Sequence, residues 1–317
     1  MYLPLYYNLN MGRSRSGVTR ELRFKQVDVF TEAPFKGNPV AVVFDADGLS
    51  VDEMTAVASW TNLSETTFVQ TSDRGDYRLR IFSKKRELPF AGHPTIGSAH
   101  AIAEEGLLGS RMAWVQDCFA GLIPITLDRQ RCIFALAPAA KIRPRTISSQ
   151  DLGAIVSGVS LTEAVVVDIG AVWMVARVLK GDMFSLVYDA PALASLSREL
   201  GCSGLTVYRI DEPGGVEVRS FAPAAGVPED PVCGSGNVAV AAHLRLTGVK
   251  KRVGLEYLAR QGKALGRDGQ VFVKFRGQDI LIGGRAVTCI DGIIRLPERE
   301  QSNDIRRTQY EPRQAAG

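Results

Sequence analysis

The chain has 317 residues, 45% hydrophobic and 23% charged. That balance excludes a disordered chain, a coiled coil and a collagen-like fibre, and the length suits two domains. Thirty-eight basic against 34 acidic side chains leave a net charge of only +4, too thin a surplus for a nucleic-acid-binding stripe.

The first stretch, 1–22, is apolar first and basic afterwards, the wrong order for a signal peptide. It reads as a disordered extension, or as sequence upstream of a start at Met11 or later. Strands are predicted over 23–31, 39–45 and 65–71 from their alternation. Ser50, with Glu53 in capping-box position, predicts a helix over 51–60. Further strands are predicted over 112–119, 121–128 and 131–137. The segment 137–149, with Pro138, Pro144 and several basic residues, reads as a linker between halves at 23–138 and 150–279. Strands follow over 164–169, 172–179 and 205–210, with a helix over 191–200 opened by Pro191. The last strands are predicted over 253–261, 270–276, 279–283 and 286–291, and the charged tail 298–317 reads as disordered. Many strands with few helices per half indicate an α+β fold.

The five cysteines, Cys118, Cys132, Cys202, Cys233 and Cys289, include no C-x-x-C pair. An odd count without that spacing argues against a disulfide framework or structural zinc and for a reducing cytoplasm. The most apolar stretch, 164–179, is interrupted by Asp168 and Arg177, so no membrane span is expected. Three scattered histidines without a carboxylate cluster argue against a metal site.

The chain repeats itself at domain scale. Strand-like Tyr77-Arg-Leu-Arg-Ile-Phe82 and Val216-Glu-Val-Arg-Ser-Phe221 each lead through an acidic, Pro- and Gly-bearing loop into a small-residue helix. An offset of 142 residues sets Ala91 on Cys233, Glu87 on Glu229, Gly92 on Gly234 and Gly106 on Gly248. Each helix start offers free backbone N–H groups and a positive dipole end, which suit an anion. Either these are ordinary Gly/Pro helix starts, or they face each other across a cleft and hold a carboxylate beside a developing enolate.

His93 lies in the first start, where a helix N-terminus favours the neutral imidazole that can pass a proton. Asp230 is placed to orient a substrate amine or His93, and Ser235 to donate to a carboxylate. Cys233 is either a small buried thiol or an acid/base with thiolate character. Its counterpart is Ala91, so a symmetric two-thiol pair is absent. His100 and His243 lie on apolar helix faces and read as packing residues. Gly234-Ser-Gly236-Asn-Val-Ala239 matches a dinucleotide fingerprint, but no strand is predicted before it, so that reading is rejected. On the residues alone, Glu65 reads as a solvated carboxylate.

The motifs Val27-Asp-Val-Phe30, Gly37-Asn-Pro-Val-Ala-Val42, Asn62-Leu-Ser-Glu-Thr66, Leu88-Pro-Phe-Ala-Gly-His-Pro94 and 221–235 resemble, in order, the PhzF-like isomerases of phenazine biosynthesis, in the diaminopimelate epimerase superfamily. The resemblance spans roughly 23–297. It implies two pseudo-symmetric halves, each a curved, mainly antiparallel sheet around a central helix, with strands near 280–297 returning to the first half. It places Glu65 as the proton-shuttling carboxylate. His93, Asp230 and Ser235 fall on other site positions, and Gly92 and Gly234 serve as backbone donors. It implies a small carboxylate or amino-acid-like substrate, no cofactor, no metal and a homodimer. The expected activity is cofactor-independent proton transfer. The alternatives are a racemase using Glu65 and Cys233, a non-catalytic binding protein that keeps the fold, and a redox-responsive protein using Cys233.

Overall fold

The computed structural model describes residues 19–211 and 215–298. The expected extension, up to residue 18, and the tail from residue 299 lie outside the described residues. The first run of elements is β1 (Thr19–Val29), β2 (Asn38–Val43), α1 (Val51–Thr61), β3 (Glu65–Gln70), β4 (Tyr77–Ser83), β5 (Glu87–Leu88), α2 (Gly92–Glu104), β6 (Ala113–Cys118), β7 (Gly121–Leu127) and β8 (Ile133–Leu136). The second begins with β9 (Lys141–Ile147), α3 (Ser149–Gly153), β10 (Val156–Ser157), β11 (Val159–Leu161), β12 (Ala164–Ile169), β13 (Ala171–Gly181), β14 (Val187–Tyr188) and α4 (Ala190–Leu200). It continues with β15 (Gly204–Asp211), β16 (Gly215–Ala222), β17 (Val227–Asp230), α5 (Gly234–Leu246), β18 (Glu256–Gln261), β19 (Gly269–Arg276), β20 (Asp279–Gly284) and β21 (Ala286–Pro297).

Strand pairing makes the internal repeat explicit. One series runs β21-β1-β2-β3-β4-β6-β7-β8. The other runs β9-β12-β13-β15-β16-β18-β19-β20. In both, the steps are antiparallel twice, parallel, antiparallel, parallel, then antiparallel twice. Parallel neighbours need a crossover, and α1, α2, α4 and α5 supply the four. β8 pairs with β20, so one ladder joins the two series. The fold is α+β, with two pseudo-symmetric halves that share one order of strand pairing. The chain's last strand, β21, completes the first half by pairing with β1.

α2 and α5 are the central helices. Most of α2, from Gly92 through Ile102, and most of α5 are buried. A helix enclosed on all sides cannot be amphipathic, which is why both are built from Gly, Ala, Val and Ile rather than from a 3.6-residue apolar stripe. Ile96 and Ile102 are fully enclosed against Val27, Val29 and Val40 in the main core, each worth roughly 1.5–3 kcal/mol of burial. α1 starts as expected: Ser50 and Glu53 form both bonds of the capping box. Among the described residues, no helix is long and apolar enough to cross a membrane.

Three expectations need correction. Residues 19–22 belong to β1, paired with residues 294–297 of β21, and are not part of a disordered extension. The expected linker 137–149 contains β9, which pairs with β12. A short strand, β17, does precede the Gly234 helix, although β17 is antiparallel to β16 and not the first strand of a dinucleotide-binding unit.

Candidate active site

The N-termini of α2 and α5 meet head to head. A Cβ built on Gly92 would lie 3.8 Å from Gly234 Cα, and one on Gly234 would lie 3.3 Å from the His93 backbone nitrogen. Glycine at both tips is what allows this approach. The 142-residue offset lands on the caps: Ala91 caps α2 and Cys233 caps α5. Ala91 offers no side-chain acceptor, so the first-turn amides of α2 remain for another anion.

The loops leading to the tips are clamped alike. Arg80 forks onto Glu87 at 2.8 and 2.7 Å, and Arg219 onto Glu229 at 2.9 and 2.8 Å. Each guanidinium also lies over a ring of its own strand, Phe82 at 5.2 Å and Phe221 at 4.9 Å. Bidentate Arg–carboxylate pairs fix geometry as well as charge.

The first residue of β3, Glu65, follows the left-handed Asn62 that ends α1. Its carboxylate lies 3.4 Å from His93 Nε2, and neither Glu65 Oε2 nor His93 Nε2 has a hydrogen-bond partner. Burial pushes the Glu65 carboxyl up from its ordinary value, against a weaker opposing bond from Ser64. His93 is pulled down to about 4 by burial, opposed by the charge of Asp230 and by a bond to the Pro39 carbonyl. With Nε2 unpartnered, that bond uses the other ring nitrogen. The neutral ring therefore turns an acceptor nitrogen toward Glu65. Burial, more than the helix terminus, keeps the ring neutral.

Asp230 ends β17 and is pushed up to about 6, chiefly by burial. Its Oδ1 accepts from Asn38 Nδ2 at 3.1 Å and from the Val232 backbone at 3.0 Å. Asn38 also donates to the Val232 carbonyl at 3.0 Å, so a side chain of the first half holds the site loop of the second. Ser235 Oγ accepts from Trp173 Nε1 at 3.0 Å and lies 3.5 Å from Cys233 Sγ, with which it shares a hydrogen bond. Sequence reasoning thus placed Glu65, His93, Asp230, Cys233, Ser235, Gly92 and Gly234, and the fold brings all seven to one place. It missed Asn38, Trp173 and Gln261. Only Asn38 lay in a quoted motif, and no local signal marks the other two.

A family model described as "Phenazine biosynthesis-like protein" matches residues 27–292. The chain belongs to this family. Among its relatives, "Antisense-enhancing sequence 1" of Schizosaccharomyces pombe is 40% identical, over 86% of this chain and 98% of the relative. The "Trans-2,3-dihydro-3-hydroxyanthranilate isomerase" of Pseudomonas chlororaphis is 32% identical, over 85% and 98%. The crystal structure of the Bacillus anthracis phenazine biosynthesis protein of the PhzF family superposes with a TM-score of 0.76 at 26% identity, covering 87% of this chain and 99% of that one. The protein is accordingly an isomerase.

Within this family member, Cys233 departs from the thiolate expectation. The thiol is pushed well above its ordinary value by burial and by the nearby Asp230 charge. Its sulfur serves the fold, accepting from the Gly236 backbone at 3.3 Å as the α5 cap. Gln261 fixes the same turn, accepting from the Cys233 backbone at 3.1 Å and donating to the Asp230 carbonyl at 3.0 Å. His243 is a packing residue, bonded to the Tyr208 hydroxyl at 2.9 Å. Among the described residues, no group of three His, Cys, Asp or Glu gathers as a metal site.

Proposed function

We propose that this isomerase moves a proton on a small carboxylate or amino-acid-like substrate without a cofactor, with Glu65 as acid and base. The observation that carries the reading is the buried Glu65–His93 pair beside two apposed helix starts. Burial makes the Glu65 carboxylate a stronger base than one in water, and its conjugate acid is still able to return the proton near neutral pH. Glu65 removes a proton from carbon next to an activating group. The amides of the two tips and the Ser235 hydroxyl receive the substrate carboxylate and the charge that develops beside it. Glu65, or His93 at 3.4 Å from it, delivers the proton to another carbon. An unsaturated cyclic amino acid, of the kind named for the Pseudomonas chlororaphis relative, has both the carboxylate and an adjacent activated carbon.

The test is solvent deuterium incorporation, followed by NMR, across amino acids and unsaturated carboxylates. Glu65→Gln lowers exchange by about 10²–10⁴-fold while the protein stays folded, because a neutral amide replaces a desolvated carboxyl. Cys233→Ser keeps wild-type exchange, whereas a racemase working with Glu65 and Cys233 on opposite faces would lose it. Undiminished exchange in Glu65→Gln removes Glu65 from the reaction.

A further inference from the structure

A cavity of about 500 Å³ opens on the first half, away from the helix tips. His100 lines it, seven residues beyond His93 on α2, which is about 10 Å along the helix axis. Three arginines face this cavity: Arg129 and Arg131 from the β7–β8 turn, and Arg285 from the β20–β21 junction. Glu32 is the one carboxylate in the lining, and it is taken up in an ion pair with Arg285. Arg285 is held further by its Nε bond to the Gln130 carbonyl at 3.0 Å.

The other two arginines have no such partner. Among the described residues, neither the Arg129 nor the Arg131 guanidinium makes an ion pair or hydrogen bond. Asp128, the carboxylate nearest in sequence, does not serve them. Its Oδ1 accepts from the Gln130 and Cys132 backbones at 2.8 and 2.9 Å and so builds the turn. Glu104, on the same helix as His100, is engaged by Lys25 at 2.8 Å and by Thr288 at 2.7 Å. His100 itself is depressed below its ordinary value by burial and adds no charge near neutral pH. The lining is left with an excess of two positive charges.

The backbone adds an independent observation. Arg131 sits in the left-handed region with φ 62°, a turn position where glycine is unstrained and a long side chain is not. The turn accepts that strain at a residue whose side chain lines the cavity. Leu127, Ile133 and Val287 supply an apolar wall beside the arginines.

The geometry points to a binding site for a small organic dianion, a phosphate monoester, held by Arg129, Arg131 and Arg285 with its organic part against the apolar wall. The guanidinium fork matches phosphate oxygens, and two negative charges neutralise the excess. This site is separate from the proposed proton-transfer cleft and does not depend on it.

The experiment is calorimetric titration of the full chain with inorganic phosphate, phenyl phosphate and benzoate. Phenyl phosphate is expected to bind saturably and more tightly than either inorganic phosphate or benzoate. Arg129→Ala combined with Arg131→Ala weakens it by about tenfold or more. Glu65→Gln binds it as the wild type does. Arg131→Gly, which relaxes the turn, keeps or raises the melting temperature of the free protein yet binds more weakly, so loss of binding is not loss of fold. The proposal is overturned if phenyl phosphate does not saturate, if the double variant binds it undiminished, if benzoate binds as tightly, or if Glu65→Gln abolishes binding.

Discussion

At the start of β3 stands Glu65; at the matching place in the second half, the start of β15, stands Gly204. The match follows from register. Thr66 pairs with Phe82 on β4, and Leu205 pairs with Phe221 on β16, so each residue before them occupies the same step of the repeat. The two positions nevertheless differ completely in what they hold. A Cβ on Gly204 would lie 1.9 Å from the Phe221 carbonyl oxygen, so the second half has no room there for any side chain. The tips show the same divergence: His93 answers to Ser235 and Ala91 to Cys233 on a shared scaffold of ladder, clamp and helix start. The repeat preserves the two apposed helix starts and places the carboxyl–imidazole pair, Glu65 and His93, in the first half alone. The second half contributes its own desolvated acid from the loop instead, Asp230, whose carboxyl is raised further by the nearby Glu65 charge.

That comparison can be broken at Gly204. Gly204→Ala forces a backbone shift in the ladder between β15 and β16 and is expected to cost more than about 3 kcal/mol. Chemical denaturation of the variant measures it, and a loss under about 1 kcal/mol would show that the second half does have room. A smaller effect sharpens the comparison of the clamps. The Arg219–Glu229 pair is 12% and 10% exposed at its side chains, against 17% and 27% for Arg80–Glu87. Removing one partner of an enclosed pair strands the other charge. Arg219→Met should therefore cost about 3 kcal/mol and Arg80→Met clearly less. Equal losses by the same measurement would mean that burial does not set the difference.

The smallest effect is a change of slope with pH. His93 and His243 are each depressed to about 4 from 6.5. Below 6.5 the unfolded chain binds these protons first, so the histidines remove stability as pH falls from 6.5 to 4. Asp230 has the opposite sign. Raised from 3.8 to about 6, it gives stability that is full below 3.8 and lost as pH rises to 6. Glu65 is raised too and acts in the same sense. These contributions oppose one another across the same window. Asp230→Asn removes one, worth roughly 3 kcal/mol at most, so its stability should climb more steeply from pH 4 to 6.5 than that of the wild type. Urea midpoints across that range check it, and parallel profiles would show that Asp230 titrates normally.

Much of this arrangement was legible in the residues because it is local. The Ser50–Glu53 box, the two small-residue helices and the 142-residue offset between their caps each depend on neighbours in the chain. What escaped depends on partners far away or on edges. β9 carries Pro144 and several basic residues, which read as a linker. Among the described residues it pairs with β12 alone, and an edge strand takes proline and positive charge as protection against further pairing. Asn38 reaches Asp230 across 192 residues, a contact no spacing rule exposes. Glu65 read as solvated until its surroundings were known, since a carboxylate's pKa is set by what encloses it and not by its own sequence.

The return of β21 to β1 carries a consequence for biosynthesis. Translation delivers strands β1 to β8 first, yet the sheet they belong to lacks its outermost member until residue 297 is made. The second series, β9 to β20, is one uninterrupted stretch of chain. On the ribosome the earlier-made half must wait with an open flank while the later-made half can close its own ladder. Contacts that span nearly the whole polypeptide form last because their loop-closure entropy is largest, so the half that is begun first is finished last.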